Sequence, residues 1–123
     1  MDVQIFGTPK SKASQKASRF FKERGFKPHI IDLRQRAISP GELRRFAQKF
    51  GLTSLIDTAG KAYRDAGLEY LHLSDEALTA RLMSDPRLLV QPLIRAGSAL
   101  GLGWDENFWR DWHDAQKNAP SGS

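Results

Sequence analysis

No cysteine occurs among the 123 residues, and this absence removes more chemistry than any other property of the chain. Disulfide scaffolds, thiolate zinc sites, iron–sulfur clusters and cysteine nucleophiles are all excluded. Histidine is scarce as well. His29, His72 and His113 lie far apart and offer no helical pair four residues apart, so metal-ligand spacing is missing. Long apolar runs are also lacking: Leu88-Leu89-Val90 is far too short to cross a bilayer. Polar, lysine-rich residues follow Pro9 directly, where a signal peptide would place its apolar core. The expected location is cytoplasmic, with no membrane partner, no metal and no resident cofactor.

What is present fits an ordinary globular chain, 40% hydrophobic and 27% charged. The length predicts a single domain over residues 1–117 and a flexible tail over 118–123. Charge is distributed unevenly. Residues 1–50 carry 12 Lys+Arg against 4 Asp+Glu, a balance of +8, whereas residues 51–123 carry 7 against 10, a balance of −3. A basic first half invites an anionic partner. The basic residues are spread along helices and accompany no DNA-binding motif, so nucleic acid is not the expected partner. A solvated helix face is the plainer explanation for most of them.

Val3-Gln4-Ile5-Phe6 reads as a strand closed by Gly7-Thr8-Pro9. Helical spacing follows from Ser11 to Arg24, with Ala13, Ala17, Phe20 and Phe21 on one face and Lys12, Lys16 and Arg19 on another. Gly25 ends that helix, and His29 to Leu33 form a second strand. Ser39-Pro40-Gly41-Glu42 has Ser at the N-cap, Pro at N1 and Glu at N3, a complete capping box. Short helical pieces are expected near Leu52–Ile56 and Ala62–Ala66. A clear helix spans Asp75 to Ser84 after the Ser74 cap, and a turn begins at Asp85-Pro86. Pro92 to Leu102 reads as a hairpin turning at Gly97. Trp104, Phe108, Trp112 and Ala115 then recur at helical spacing, with Trp109 on an adjoining face. That aromatic stripe is expected to pack inward, with an exposed patch for a partner as the alternative.

The order is β-α-β, several helices, a β-hairpin and a last helix. A right-handed crossover makes the first two strands parallel, and the hairpin adds two antiparallel ones. The fold class is therefore α/β: a thioredoxin-like mixed four-stranded sheet with a helical insertion, about 39–90, between its halves.

With that order, the chain resembles the arsenate reductase/Spx (ArsC-like) family. The resemblance rests on Ile5-Phe6-Gly7-Thr8-Pro9-Lys10-Ser11, Lys16-Ala17 with Phe20-Phe21, and Gly25-Phe26. It continues through Ile31-Asp32-Leu33-Arg34, Ser39 to Leu43, Leu55-Ile56-Asp57, Tyr63-Arg64, Leu73 to Glu76, and Asp85 to Ile94. The family places its catalytic cysteine where the first loop meets the first helix, sometimes with another three residues on. Ser11 and Ser14 occupy those positions here. A thiol there gains from helix N-terminal amides, which stabilise a thiolate; a serine hydroxyl is no anion near neutral pH and forms no mixed disulfide. Glutaredoxin-dependent arsenate reduction by the family's route is thus not open to this chain. Gln91 replaces the family's arginine before the strand proline, and Asp57 stands where arsenate-reducing members tend to carry another. Arg87 and Arg95 would compensate only by pointing inward. Pro92 is kept, and the resemblance implies a cis peptide after Gln91, facing the Ser11 loop.

Candidate ligand-binding residues are accordingly Thr8, Pro9, Lys10, Gln91, Pro92 and Arg95. The leading expectation is a non-reductase binding or regulatory protein. Its partner surface would be the basic first helix (Lys12, Lys16, Arg19) or the aromatic last one (Trp104, Phe108, Trp112). One alternative is a glutathione-binding or transferase-like protein in which Ser11 stabilises the ligand's thiolate and glutathione supplies the missing sulfur. The absence of a transferase-type helical domain counts against it. Another is an arsenate reductase-like protein whose two cysteines have been changed to serine.

Overall fold

The computed structural model describes residues 2–117; the tail expected over 118–123 lies outside them. β1 (Val3–Gly7) leads into α1 (Lys12–Glu23), β2 (His29–Asp32) and α2 (Pro40–Phe50). A 3-10 turn at Leu52–Leu55, α3 (Lys61–Ala66), a second 3-10 turn at Leu68–Tyr70, α4 (Asp75–Ser84) and a third 3-10 turn at Pro86–Leu88 follow. β3 (Leu93–Ala96), β4 (Ala99–Leu102) and α5 (Glu106–Lys117) complete the chain. The sheet order is β2-β1-β3-β4, with β1 parallel to β2 and antiparallel to β3, and β3 antiparallel to β4. This is the expected mixed sheet. No helix among the described residues is long and apolar enough to cross a membrane.

Strand alternation divides the core between two faces. Val3, Ile5, Ile94 and Ala96 pack with Ala17, Phe20 and Phe21 of α1 and Trp109 of α5. Phe6, Ile31 and Leu93 face the helices between β2 and β3, meeting Leu43, Phe46, Leu55, Leu82 and Leu88. The site-bearing end of β1 is therefore clamped from both sides.

Two expectations need correction. Ser39 does cap α2, its Oγ accepting from the Glu42 N–H at 3.2 Å. Glu42, however, does not complete the box: its Oε1 lies 2.9 Å from the Arg95 guanidinium of β3, a charged partner that outcompetes a backbone amide. The aromatic stripe also takes a different phase. Trp109 is the fully buried residue, while Phe108 is 41% exposed. α5 begins only at Glu106, with Asp105 Oδ1 accepting from the Phe108 N–H, so Trp104 precedes the helix. Trp109 and Trp112 then share the inner face, three residues apart. Gly101 admits the indole, since a Cβ there would come within 2.6 Å of it. Trp104 and Trp112 still close the cluster, at 5.2 Å from Phe20 and 6.0 Å from Phe21 between ring centroids.

Candidate functional site

The site forms where β1 ends. The chain leaves Gly7, turns through Thr8-Pro9-Lys10 and enters α1 at Ser11. The Ser11 N–H donates to the Thr8 carbonyl at 3.0 Å and closes the turn. Ser11 is the N-cap: its extended backbone leaves Oγ to accept from the Ser14 N–H at 3.2 Å, satisfying one orphan amide of the first turn. A cysteine sulfur here would be the thiolate facing those amides; the serine oxygen is occupied as a neutral cap.

Ser14 sits one turn deeper, only 7% exposed, with its Oγ lacking a hydrogen-bond partner. It presses against the end of β1, where a Cβ at Gly7 would overlap its Oγ. Gly7 is thus required by close approach, and the side chain above it must be small. Gln15, not foreseen as part of the site, ties the loop down through Nε2 to the Pro9 carbonyl at 2.6 Å.

Gln91 closes the site from the other half of the chain. Its Oε1 accepts from both the Thr8 N–H (2.9 Å) and the Thr8 hydroxyl (3.1 Å), while Nε2 donates to the Pro86 carbonyl at 3.1 Å. The peptide between Gln91 and Pro92 is cis, as the resemblance implied. Pro92 is buried beside it, whereas Pro9 and Lys10 are exposed. Thr8, Ser11, Ser14, Gln91 and Pro92 thus belong to one structure, and Gln91 uses its whole amide to brace it. Bracing by Gln91 leaves no cationic group where the family carries an arginine.

The remaining candidates go elsewhere. Arg95 lies across the strand pair from Gln4, donating to its Oε1 at 2.7 Å and pairing with Glu42. Arg87 is paired with Asp85 at 2.9 Å on an exposed turn. Neither guanidinium stands in for a lost oxyanion ligand. Asp57 donates its N–H to the Leu88 carbonyl beside the Ile56–Leu89 bridge. Among the described residues no cluster of His, Asp and Glu has metal-binding geometry. The resolved electrostatic shifts belong to the surface pairs: Arg34 holds Asp32, and Arg87 holds Asp85, below the ordinary carboxylate range, chiefly by side-chain hydrogen bonds.

A match to the ArsC family spans residues 6–112, most of the described chain. The chain belongs to the ArsC family. It is 27% identical over 117 residues to the uncharacterized protein YusI of Bacillus subtilis, covering 91% of this chain and 99% of that one. It is 25% identical over 105 residues to an arsenate reductase of Neisseria meningitidis serogroup A, covering 83% and 90%. An arsenate reductase structure from Vibrio cholerae superposes with a TM-score of 0.72 at 24% identity, over 87% of this chain and 91% of that one, a likeness of fold. This ArsC chain keeps the fold and the cis-proline while holding serine at Ser11 and Ser14.

Besides Gln15, Pro86 and Gly7 are site residues that the sequence alone did not single out. Pro86 acts through its carbonyl, which carries no side-chain signature. Gly7 had a readable signal, a lone glycine at a strand end before a loop, which often marks close backbone approach.

Proposed function

We propose that this ArsC-family chain is a cytoplasmic binding or regulatory protein and not a thiol-dependent reductase. The observation that carries this reading is Ser11: at the head of α1 its oxygen serves as a helix cap, in a chain with no sulfur nucleophile anywhere. The Thr8 N–H, a donor that could face a bound anion, is taken by Gln91. The scaffold is retained, and the basic face of α1, with Lys12 and Lys16 exposed, supplies a partner surface.

The test couples arsenate reduction to glutathione and glutaredoxin. The chain is expected to turn over no arsenate under conditions where an arsenate reductase of the family does, and measurable turnover by pure protein would overturn the reading. Calorimetric titration with glutathione separates the transferase-like alternative, which requires binding centred on Thr8–Ser14 and Pro92.

A further inference from the structure

β2 is the outermost strand, and one of its edges has no neighbour among the described residues. A groove of about 450 Å³ runs beside it, between Ile30 and the flank of α1, and reaches the Thr8-Pro9 loop. Ile30 lines it at 45% exposure, a large aliphatic side chain left open on a strand. On the helix side the small residues Ser14 and Ser18, one turn apart, keep the channel wide. Arg19 and Lys22 stand over it against a single carboxylate, Glu23. Around the other face of the strand, Arg36 lines a polar hollow of about 300 Å³ with His29 and Ile31. Arg19, Lys22 and Arg36 make none of the ion pairs found among the described residues.

We propose that the groove between α1 and the free edge of β2 docks an extended acidic protein segment. The segment adds a strand to the sheet, rests an apolar side chain on Ile30 and sets carboxylates against Arg19, Lys22 and Arg36. Backbone pairing gives such a strand its affinity, and the flanking charges select it. Those same charges exclude the simplest competitor: a second copy paired edge to edge would bring Arg19, Lys22 and Arg36 against their own images, a device that keeps sheet edges from self-association. A nucleic acid backbone would meet the cations but gain nothing from Ile30 or from the strand's amides and carbonyls. The proposal rests on the binding-protein reading and places its partner on one flank of α1. Lys22 lines the groove beside β2, whereas Lys16 lines the adjoining hollow with Trp104 and Glu106, and Arg19 and Glu23 border both.

The test is an NMR titration of the full chain with a synthetic peptide alternating glutamate and valine. A lysine–valine peptide and oligothymidylate serve as comparison probes. Amide shifts are expected across His29–Asp32 and Ser18–Lys22 with the acidic peptide alone. Ile30→Asp and Lys22→Glu should each weaken binding about tenfold, with unchanged thermal melts, while Lys49→Glu, at an exposed position on α2 outside the groove, binds as the parent does. Lys22 is a surface residue, so its variant keeps the test valid if Ile30→Asp folds poorly. Shifts confined to Lys12 and Lys16 would refute the groove and leave the binding-protein reading standing. A stronger response of the same residues to oligothymidylate, a dimer formed through β2, or no shift at millimolar peptide would each overturn the proposal. Failure of the binding-protein reading itself shows separately, as arsenate turnover.

Discussion

Ser14 carries a hydroxyl that nothing answers, and that makes it the most informative single atom of the site. Its Oγ is buried without a partner against Gly7. An unpaired buried hydroxyl loses its water and gains no replacement. Ser14→Ala is therefore expected to be neutral or stabilising by up to about 1 kcal/mol in urea unfolding. Gly7→Ala should cost about 1–3 kcal/mol by overpacking, and Ser14→Ala should relieve only part of that, because Ser14 Cβ would still lie 3.2 Å from the new methyl. Additive losses in the double variant would show that the two side chains do not meet. Ser11 has the opposite character, since its oxygen is used. Ser11→Ala removes the α1 cap and should cost about 1 kcal/mol, measured the same way.

Helices and strands show how far local pattern reaches. The caps of α2 and α4 were legible because Ser39 and Ser74 satisfy amides three residues on, a relation contained within one turn. The hairpin was legible because Gly97, at φ 61°, adopts the left-handed backbone that its turn requires. The partners of Glu42 and Thr8 were not legible. Arg95 and Gln91 reach them from the far half of the chain, at separations no periodicity encodes. The phase of α5 differs from the sequence pattern because Trp104 precedes the helix: Asp105 starts it, its carboxylate accepting from the Phe108 N–H of the first turn. Trp109→Ala should accordingly cost about 3–5 kcal/mol, whereas Phe108→Ala should stay within about 0.5 kcal/mol, as exposed substitutions do. Equal losses in thermal or urea melts would restore the stripe read from sequence.

Across the whole molecule, charge and fold meet in the response to acid. The chain carries a net +5 near neutral pH, and protonating its carboxylates only adds to the positive charge and its self-repulsion. Asp32 and Asp85 resist that protonation, because Arg34 and Arg87 lower their pKa values through hydrogen bonds. A folded-state pKa below the unfolded one means that the native state releases its proton more readily. The stabilisation is then fully present above the ordinary aspartate value and disappears as pH falls through the lowered one. Asp85 also accepts from the Arg87 N–H at 3.1 Å, starting the turn whose Pro86 carbonyl holds Gln91. Asp85→Asn should therefore be less stable than the parent in urea melts at pH 7 and 5, with the gap closing as pH drops below about 4, the ordinary aspartate range. A gap that persists unchanged into strong acid would mean that the carboxylate's charge contributes nothing to this turn. If the gap closes as expected, the Thr8–Gln91 contact should loosen with it. Amide exchange at Thr8 would then quicken in Asp85→Asn before the sheet itself opens.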